Sequence, residues 1–223
     1  MTKPFNISDW AKLFAQFRGI PIYTLAGWNA AVSNGATTKH AVLLRHDVDA
    51  DLQAAVEMAR LESNHGIYST YFMLDTADYW QNKHELLTSI ESILYYGHEI
   101  GWHNNVTTRH IRTQRPIPEL INEALNVLRL SGADVIGTAS HGDPLCHDYN
   151  YVNYQVWNTC PHPTERSVHS LSDFGLDYEA YFIRRTHYIS ESGGIWRQCD
   201  DIADFKDKGG VLQVLIHPQW WKL

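Results

Sequence analysis

The chain has few cysteines and no cysteine motif. Its three cysteines, Cys146, Cys160 and Cys199, are odd in number and widely spaced, and no Cys-x-x-Cys pair occurs. This usage argues against a disulfide framework, a zinc knuckle and a dithiol redox motif. We expect reduced thiols, and we do not expect Cys146 to act as a nucleophile because no matching base can be named.

The sequence also lacks an excess of basic residues and a long apolar run. Its 18 Lys and Arg residues against 25 Asp and Glu give a formal net charge of -7, without a basic stripe. A nucleic-acid partner is therefore not expected. No apolar run approaches the roughly 20 residues that cross a bilayer, and the first residues do not resemble a secretory signal. These absences predict a cytoplasmic protein with no membrane span.

The bulk composition is that of a folded globular protein. Hydrophobic residues make up 44% of the 223 residues and charged residues 19%, which argues against extensive disorder. The length suits one α/β domain over residues 1–223. Within it, residues 1–40 are predicted to form an amino-terminal helix over 7–17 and then mostly loop, together covering one end of the core.

From Ala41 onward, apolar runs alternate with segments of helical periodicity, which is typical of an α/β protein with a parallel sheet. The predicted strands of this part end at Asp47, Leu74, His103 and His141. The rhythm breaks over 147–178, where we predict a long loop with short strands around 151–157. A strand is predicted over 180–189, a helix over 202–208, and a closing strand over 211–216.

Polar side chains follow several of these strands directly. Asp47 and Asp49 follow one strand, while His103, His141 and His217 stand at the ends of three others. In α/β folds ligands gather at the carboxyl ends of parallel strands. Residues two apart on a strand point the same way, so one carboxylate is suited to a metal and the other to a proton. A lone histidine at a strand end is more often structural, but its repetition favours a functional site.

Three segments carry a resemblance to a known family: Arg45-His46-Asp47-Val48-Asp49, Gly97-His98-Glu99-Ile100-Gly101-Trp102-His103 and Leu215-Ile216-His217-Pro218. They resemble motifs of the polysaccharide deacetylase superfamily, the NodB-homology carbohydrate esterases of family 4, in its divergent WbmS-like branch. The resemblance implies an α/β fold in the form of a distorted single-domain (β/α)7 TIM-like barrel. It also implies a metal-dependent hydrolase that removes an N-acetyl group from a sugar or polysaccharide precursor.

The same resemblance implies roles for individual residues. Asp47 matches the general base and His217 the general acid, while Asp49 and His103 match ligands of a divalent metal, with zinc preferred. The family's further ligand lies four residues beyond His103, where this chain has Thr107. The next histidine, His110, lies three residues beyond that position. Because neighbouring strands of a barrel converge on its axis, we predict His141 as the third ligand instead.

The expected partner is a small-molecule or oligosaccharide substrate. Side chains beside the motifs, aromatic ones for stacking on sugar rings, are predicted to bind it: Arg45, His46, Trp102, Asn104, Trp196 and Arg197. Within this set, the resemblance implies that Arg197 orients a carboxylate.

Two other functions stay open at this point. One is hydrolysis of a different carbon–nitrogen bond on the same scaffold. The other is a non-catalytic carbohydrate-binding relative, which the threonine at position 107 favours. The structural alternative for Asp47 and Asp49 is a helix cap, and for the histidines it is bonding to the backbone.

Overall fold

A computed structural model describes residues 4–37, 39–158, 168–198 and 200–223. Cys160 and Cys199 lie outside the described residues, and Cys146 is a buried free thiol. Strands β1 to β11 span Phe5–Asn6, Ile22–Tyr23, His40–Val48, Thr70–Leu74, Glu99–Asn104, Gly137–Ser140, Tyr178–Glu179, His187–Glu191, Trp196–Arg197, Gly210–Ile216 and Trp221–Lys222. Helices α1 to α8 span Ile7–Ala15, Leu25–Ser33, Leu52–Asn64, Lys83–Tyr95, Val106–Thr113, Ile117–Arg129, Pro144–Asp148 and Asp200–Lys208.

The predicted α/β class is confirmed by a sheet of nine strands in the order β7-β6-β5-β4-β3-β10-β8-β9, in which β2 also pairs with β3. Its neighbouring strands are parallel apart from the antiparallel pair of β8 and β9. No pairing joins β7 to β9 within the described segments, so the sheet is a curled half-barrel that is open on one side. The count of seven β/α units stays a prediction.

The central strand β3 is buried on both faces, as a continuous apolar run predicts. Val42 and Leu44 point outward and pack with α1 and β10. Ala41 and Leu43 point inward and pack with Phe72 of β4. Because successive side chains alternate, the next inward positions of β3 are 45 and 47, nearer its carboxyl end. The apolar inner layer therefore lies beneath a polar layer.

Helix α2 covers the amino end of this inner layer. Leu25 and Trp28 pack against the inward side chains of β3 and β4. The helix begins where the backbone N–H of Leu25 donates to Thr70 Oγ1 at 2.8 Å and that of Ala26 donates to Glu99 Oε2 at 2.9 Å. The predicted loop over 20–39 is therefore wrong in its middle, because these tertiary partners and a cap, Thr24 Oγ1 accepting from Gly27 N–H, stabilise a helix whose sequence periodicity is weak.

The segment beyond Pro144 also differs from its prediction. The strand predicted over 180–189 is observed only as β8, from His187, and a turn closes where Phe182 N–H donates to Glu179 O at 2.9 Å. The short strands predicted around 151–157 are a 3-10 helix over Asn153–Trp157. Ala180 and Ile183 pack into the inner layer, so this chain segment crosses the open side of the sheet as irregular structure.

The second sequence motif places a glycine at a close approach within the inner layer. A Cβ on Gly101 of β5 would lie 2.4 Å from the ring of Phe72, so only glycine fits there. Helix α4 begins after Asn82, whose Oδ1 accepts from Glu85 N–H at 3.3 Å. None of the described helices is long and apolar enough to span a bilayer.

Candidate metal centre

The carboxyl end of β3 supplies two carboxylates to one face of the sheet. Asp47 is buried at 2% exposure, and its Oδ2 forms an ion pair with Arg45 Nη2 at 2.6 Å. Asp49 lies just past the end of β3, while Val48 points the other way into the outer core. The i, i+2 spacing therefore places the three polar side chains in one column, as the alternation of a strand requires.

Asp49, His103 and His141 come together at the ends of β3, β5 and β6, with ligand atoms all within 4.8 Å of one another. Asp49 Oδ1 lies 3.4 Å from His103 Nε2 and 3.7 Å from His141 Nδ1, and the two imidazole nitrogens are 3.2 Å apart. Ligand atoms about 2.0–2.1 Å from one tetrahedral zinc ion lie about 3.3–3.4 Å apart. The three separations fit a common metal ion.

Hydrogen bonding orients His103 as a metal ligand. Its Nδ1–H donates to the backbone oxygen of Ala139 at 2.8 Å, so Nε2 carries the free lone pair and faces Asp49. Such a bond on the far nitrogen is the usual way in which a ligating imidazole is fixed. Asp49 Oδ1 is buried and has no hydrogen-bond partner within the described chain, which leaves an acceptor for a cation.

His217 lies on the other side of Asp49, at the end of β10. Its Nδ1–H donates to Glu191 O at 2.5 Å, and its backbone N–H donates to Glu191 Oε2 at 3.0 Å. Its Nε2 lies 3.7 Å from Asp49 Oδ2. The buried Glu191 of β8 therefore holds the imidazole with Nε2 turned toward the metal centre, and the sequence analysis did not identify this residue.

The charged side chains of the centre shift one another's pKa values toward the ionised forms. Burial would lower the pKa of His217, but Glu191, Asp47 and Asp49 raise it to about 9. Burial would raise the pKa of Asp49, yet the surrounding histidines lower it to about 2. For Asp47 burial is again opposed, chiefly by the charge of Arg45, and its pKa lies below the ordinary value. Both carboxylates are thus ionised at neutral pH.

Neither Thr107 nor His110 joins this cluster. Thr107 is fully buried in the first turn of α5, where its backbone N–H donates to Asn153 Oδ1 at 2.9 Å. His110 Nδ1 lies 2.6 Å from the backbone oxygen of Arg115, at the other end of the same helix. The helix carries both side chains away from β5, and His141 occupies the third place in the cluster.

Two predicted substrate-binding residues face the protein interior instead. His46 is fully buried on the outer face of β3, with Nε2 2.9 Å from Glu62 Oε1. Trp102 is also fully buried and packs edge-on against Trp157 in the outer core. Both alternate with inward residues on their strands, so the pleat turns them away from the centre and the prediction that they contact substrate is wrong.

The other predicted substrate-binding residues lie in different places. Arg45 lies at the inner end of the centre, where it lines a cavity. Asn104 alternates with His103 on β5 and is fully buried, and its Nδ2 donates to Thr138 Oγ1 at 2.9 Å. Trp196 packs against Phe5 and Trp221 in the outer core, away from the metal centre. Arg197 is exposed, and the carboxylate of Asp47 is instead held by Arg45. The orienting role predicted for Arg197 is therefore corrected.

A cavity of about 200 Å³ opens beside the centre on the open side of the half-barrel. Among the residues that line it are Arg45, His141, Glu179, Arg185, Tyr188 and Gln213. The last four were missed by sequence reasoning. Gln213 could have been identified from the sequence, because it is the one polar residue within the apolar run 211–216. The others lie in or after the irregular segment, where periodicity gives no orientation.

No family model and no curated protein matches the chain. Among solved structures it is similar to a CE4 family pseudoenzyme from Bacillus anthracis, in wild-type form and as a mutant with restored enzymatic activity. Both align at 15% identity and a TM-score of 0.44 over 82% of this chain. A family 4 carbohydrate esterase from Bacillus anthracis aligns at 13% identity and a TM-score of 0.40.

The aligned lengths differ between these structures. The chain covers 57% and 56% of the two pseudoenzyme chains, so it spans a little over half their length. It covers 76% of the esterase chain, which in turn spans 91% of this one. Similarity at these identities assigns no function to this chain, and membership of the WbmS-like branch stays a prediction.

Proposed function

We propose that the protein is a metal-dependent hydrolase that removes an N-acetyl group from a sugar. The observation that carries this proposal is the cluster of Asp49, His103 and His141, whose ligand atoms have the separations that one ion requires. Two groups able to move protons, Asp47 and His217, flank the cluster. A ligand set with an acid and a base beside it is the composition of a hydrolytic centre.

The donor set fits zinc. One carboxylate and two imidazoles are three protein ligands, which leaves a fourth position for water or substrate. Nickel, cobalt and iron accept the same ligands, so the donors favour a late divalent transition metal rather than calcium or magnesium. When bound, such an ion lowers the pKa of water and polarises a carbonyl group.

Asp47 is suited to act as the base. Arg45 engages Oδ2 at 2.6 Å, while the buried Oδ1 has no hydrogen-bond partner within the described chain. The guanidinium fixes the plane of the carboxylate and leaves Oδ1 free to take a proton from an attacking water. The carboxylate itself lies beside the cluster, since its Oδ2 is 3.4 Å from His103 Nε2.

His217 is suited to act as the acid. Glu191 holds its Nδ1–H, so the proton that it can transfer is on Nε2, which faces Asp49 at 3.7 Å. Its strand, β10, is the neighbour of β3 on the side away from β5 and β6. It therefore approaches from the side opposite His103 and His141, where it can protonate the leaving amine of the sugar.

The sugar assignment is supported by an aromatic rim beside the centre. Tyr154 and Tyr181 stack with ring centroids 4.0 Å apart and planes within 4°, and both line the cavity. Tyr181 is 53% exposed. Tyr154 covers one face of Tyr181 and the guanidinium of Arg185 lies over its ring, so a pyranose ring would contact the exposed edge of this aromatic rim.

Metal content tests the proposal first. Elemental mass spectrometry on the zinc-reconstituted full chain is expected to find about one ion per chain, and Asp49→Ala and His103→Ala are expected to lose it. Asp51→Asn and His84→Ala serve as matched controls, because Asp51 caps α3 and His84 lies exposed on α4. Equal metal in the wild type and in the Asp49 and His103 variants would refute the ligand set.

Product analysis tests the reaction. Wild-type protein loaded with zinc is expected to release acetate from N-acetylated sugars, and Asp47→Asn is expected to release it at least about 10²-fold more slowly. Release of a different acid or of ammonia would assign the other carbon–nitrogen hydrolase. Sugar binding with neither metal nor turnover would assign a non-catalytic carbohydrate-binding protein.

A further inference from the structure

Gln213 is the polar side chain at the floor of the cavity beside the metal centre. It lies in the middle of β10, level with Leu43 of β3 and Tyr188 of β8, and is 1% exposed. Its Oε1 and Nε2 are both buried without a hydrogen-bond partner among the described residues. A buried amide with neither atom paired is costly, so a strand that otherwise consists of apolar residues carries an unusual group here.

Arg45 adds a second unpaired donor at the same floor. Its Nη2 is used by Asp47, but its Nε–H is buried without a partner in the described structure. Arg45 and Gln213 both line the cavity. Together they offer a guanidinium N–H, amide N–H groups and one amide oxygen, which is a mixed set of donors and an acceptor at the buried floor of the cavity.

The charges around the cavity argue against an anionic ligand. A carboxylate would satisfy the donors but would leave Gln213 Oε1 facing a negative charge. It would also enter beside the carboxylate of Asp47 and the buried carboxyl of Glu179. The guanidinium of Arg185, the other cation here, is already stacked on Tyr181 and Tyr188 and bonded to backbone oxygens.

A hydroxyl group both donates and accepts, so adjacent hydroxyls complement this set. The cavity of about 200 Å³ is smaller than the roughly 300–1,000 Å³ of pockets for drug-sized molecules, which suits one ring. We propose that Gln213 and Arg45 bind adjacent hydroxyls of a neutral sugar ring, and that Gln213 determines specificity for a hydroxylated substrate. This inference rests on the proposed function and names the part of the substrate that this cavity recognises.

Two small probes that differ only in the relevant chemistry test the inference. Methyl N-acetyl-β-D-glucosaminide carries an acetamide and ring hydroxyls, and N-cyclohexylacetamide carries the acetamide on a ring without hydroxyls. Binding of each to the full chain is measured by ligand-observed NMR titration, with a chelator present and again with zinc. The chelated sample measures the cavity alone, independently of metal and of turnover.

The wild type is expected to bind the glycoside and not N-cyclohexylacetamide. Gln213→Met keeps the length of the side chain and removes the amide, and it is expected to weaken glycoside binding by at least about tenfold, since the lost partner leaves sugar hydroxyls unpaired. The control is Gln53→Met on the exposed face of α3, which should bind as the wild type does. Gln213→Asn, which withdraws the amide by one methylene, gives a second reading if the methionine variant folds poorly.

Three results would overturn the inference: equal binding of the two probes, unchanged glycoside binding by both Gln213 variants, or no glycoside binding by the wild type. Any of these results would show that the Gln213 amide does not bind sugar hydroxyls. Acetate release that does not depend on Gln213 would leave the proposed function standing without this inference. Glycoside binding that depends on Gln213 without any acetate release would do the reverse.

Discussion

Replacement of Glu179 by glutamine is expected to stabilise the protein in neutral and alkaline solution and to change little in acid. Glu179 is 1% exposed at the edge strand β7. Burial raises its pKa to about 7, against the lowering effect of the backbone N–H groups of Ser140 and Tyr181, which donate to Oε1 at 3.0 and 3.4 Å. The fold therefore accommodates the neutral carboxyl better than the carboxylate.

The sign and size of the effect follow from linkage. The ordinary pKa of this carboxyl is 4.5 and its pKa in the fold is about 7. Stability is therefore fully present below about pH 4.5 and is lost as the pH rises through about 7. At about 1.4 kcal/mol for each pH unit between the two values, the loss is roughly 3 kcal/mol. A glutamine stays neutral and avoids this loss.

The surroundings can accept the new amide. Its oxygen can keep the bonds from Ser140 and Tyr181, while its NH₂ would face Asn104, whose Nδ2 lies 3.4 Å from Glu179 Oε2. Asn104 Oδ1 is buried without a hydrogen-bond partner within the described residues. A half-turn of the Asn104 amide would give the introduced NH₂ an acceptor, and the bond from Asn104 Nδ2 to Thr138 Oγ1 would be lost in exchange.

Thermal unfolding at pH 5 and pH 8 with a chelator present checks the prediction. At about 2–4 °C for each kcal/mol in a protein of this size, Glu179→Gln is expected to raise the midpoint by roughly 6–12 °C at pH 8 and by much less at pH 5. Glu91→Gln, on the exposed face of α4, is the control and should show no such difference. The same change in midpoint at both pH values, or a lower midpoint for Glu179→Gln at pH 8, would refute the reasoning.

Three further variants test the centre and the core. Asp47→Asn is expected to lower turnover by at least about 10²-fold while zinc content by mass spectrometry stays near that of the wild type; parallel loss of metal would make Asp47 a ligand. His141→Ala is expected to lose the ion, and normal occupancy would remove it from the ligand set. Trp102→Ala is expected to lower the free energy of urea unfolding by about 3–5 kcal/mol, because the indole is fully buried; a loss below about 1 kcal/mol would contradict its place in the core.

That Asp49, His103 and His141 lie together could be predicted from the sequence, because they lie in regular strands or directly follow them. Asp47 and Asp49 stand two apart at the end of a strand that is apolar throughout, and the structure places them on one face with Arg45. His103 is the next-to-last residue of β5, and His141 directly follows β6. In the structure both side chains lie beside Asp49. Strand ends that share one edge of a parallel sheet converge, so position along the chain predicted position in space.

The prediction failed where a side chain's direction or partner depended on distant parts of the chain. His46 and Trp102 belong to the motifs but point outward, since neighbouring strand positions alternate. Helix α2 shows weak periodicity in sequence and is stabilised by Thr70 and Glu99 on other strands. Local patterns do not contain these long-range contacts.

The sequence by itself determined the α/β class, the strand that carries the two aspartates and the set of polar strand ends. Those features depend on hydrophobic periodicity and turn chemistry, which are local. Only the tertiary structure decided that Glu191 turns His217 toward the centre and that Gln213 and Glu179 face one cavity. These pairings join strands that are far apart in the chain, and the curl and packing of the sheet bring them within reach of one another.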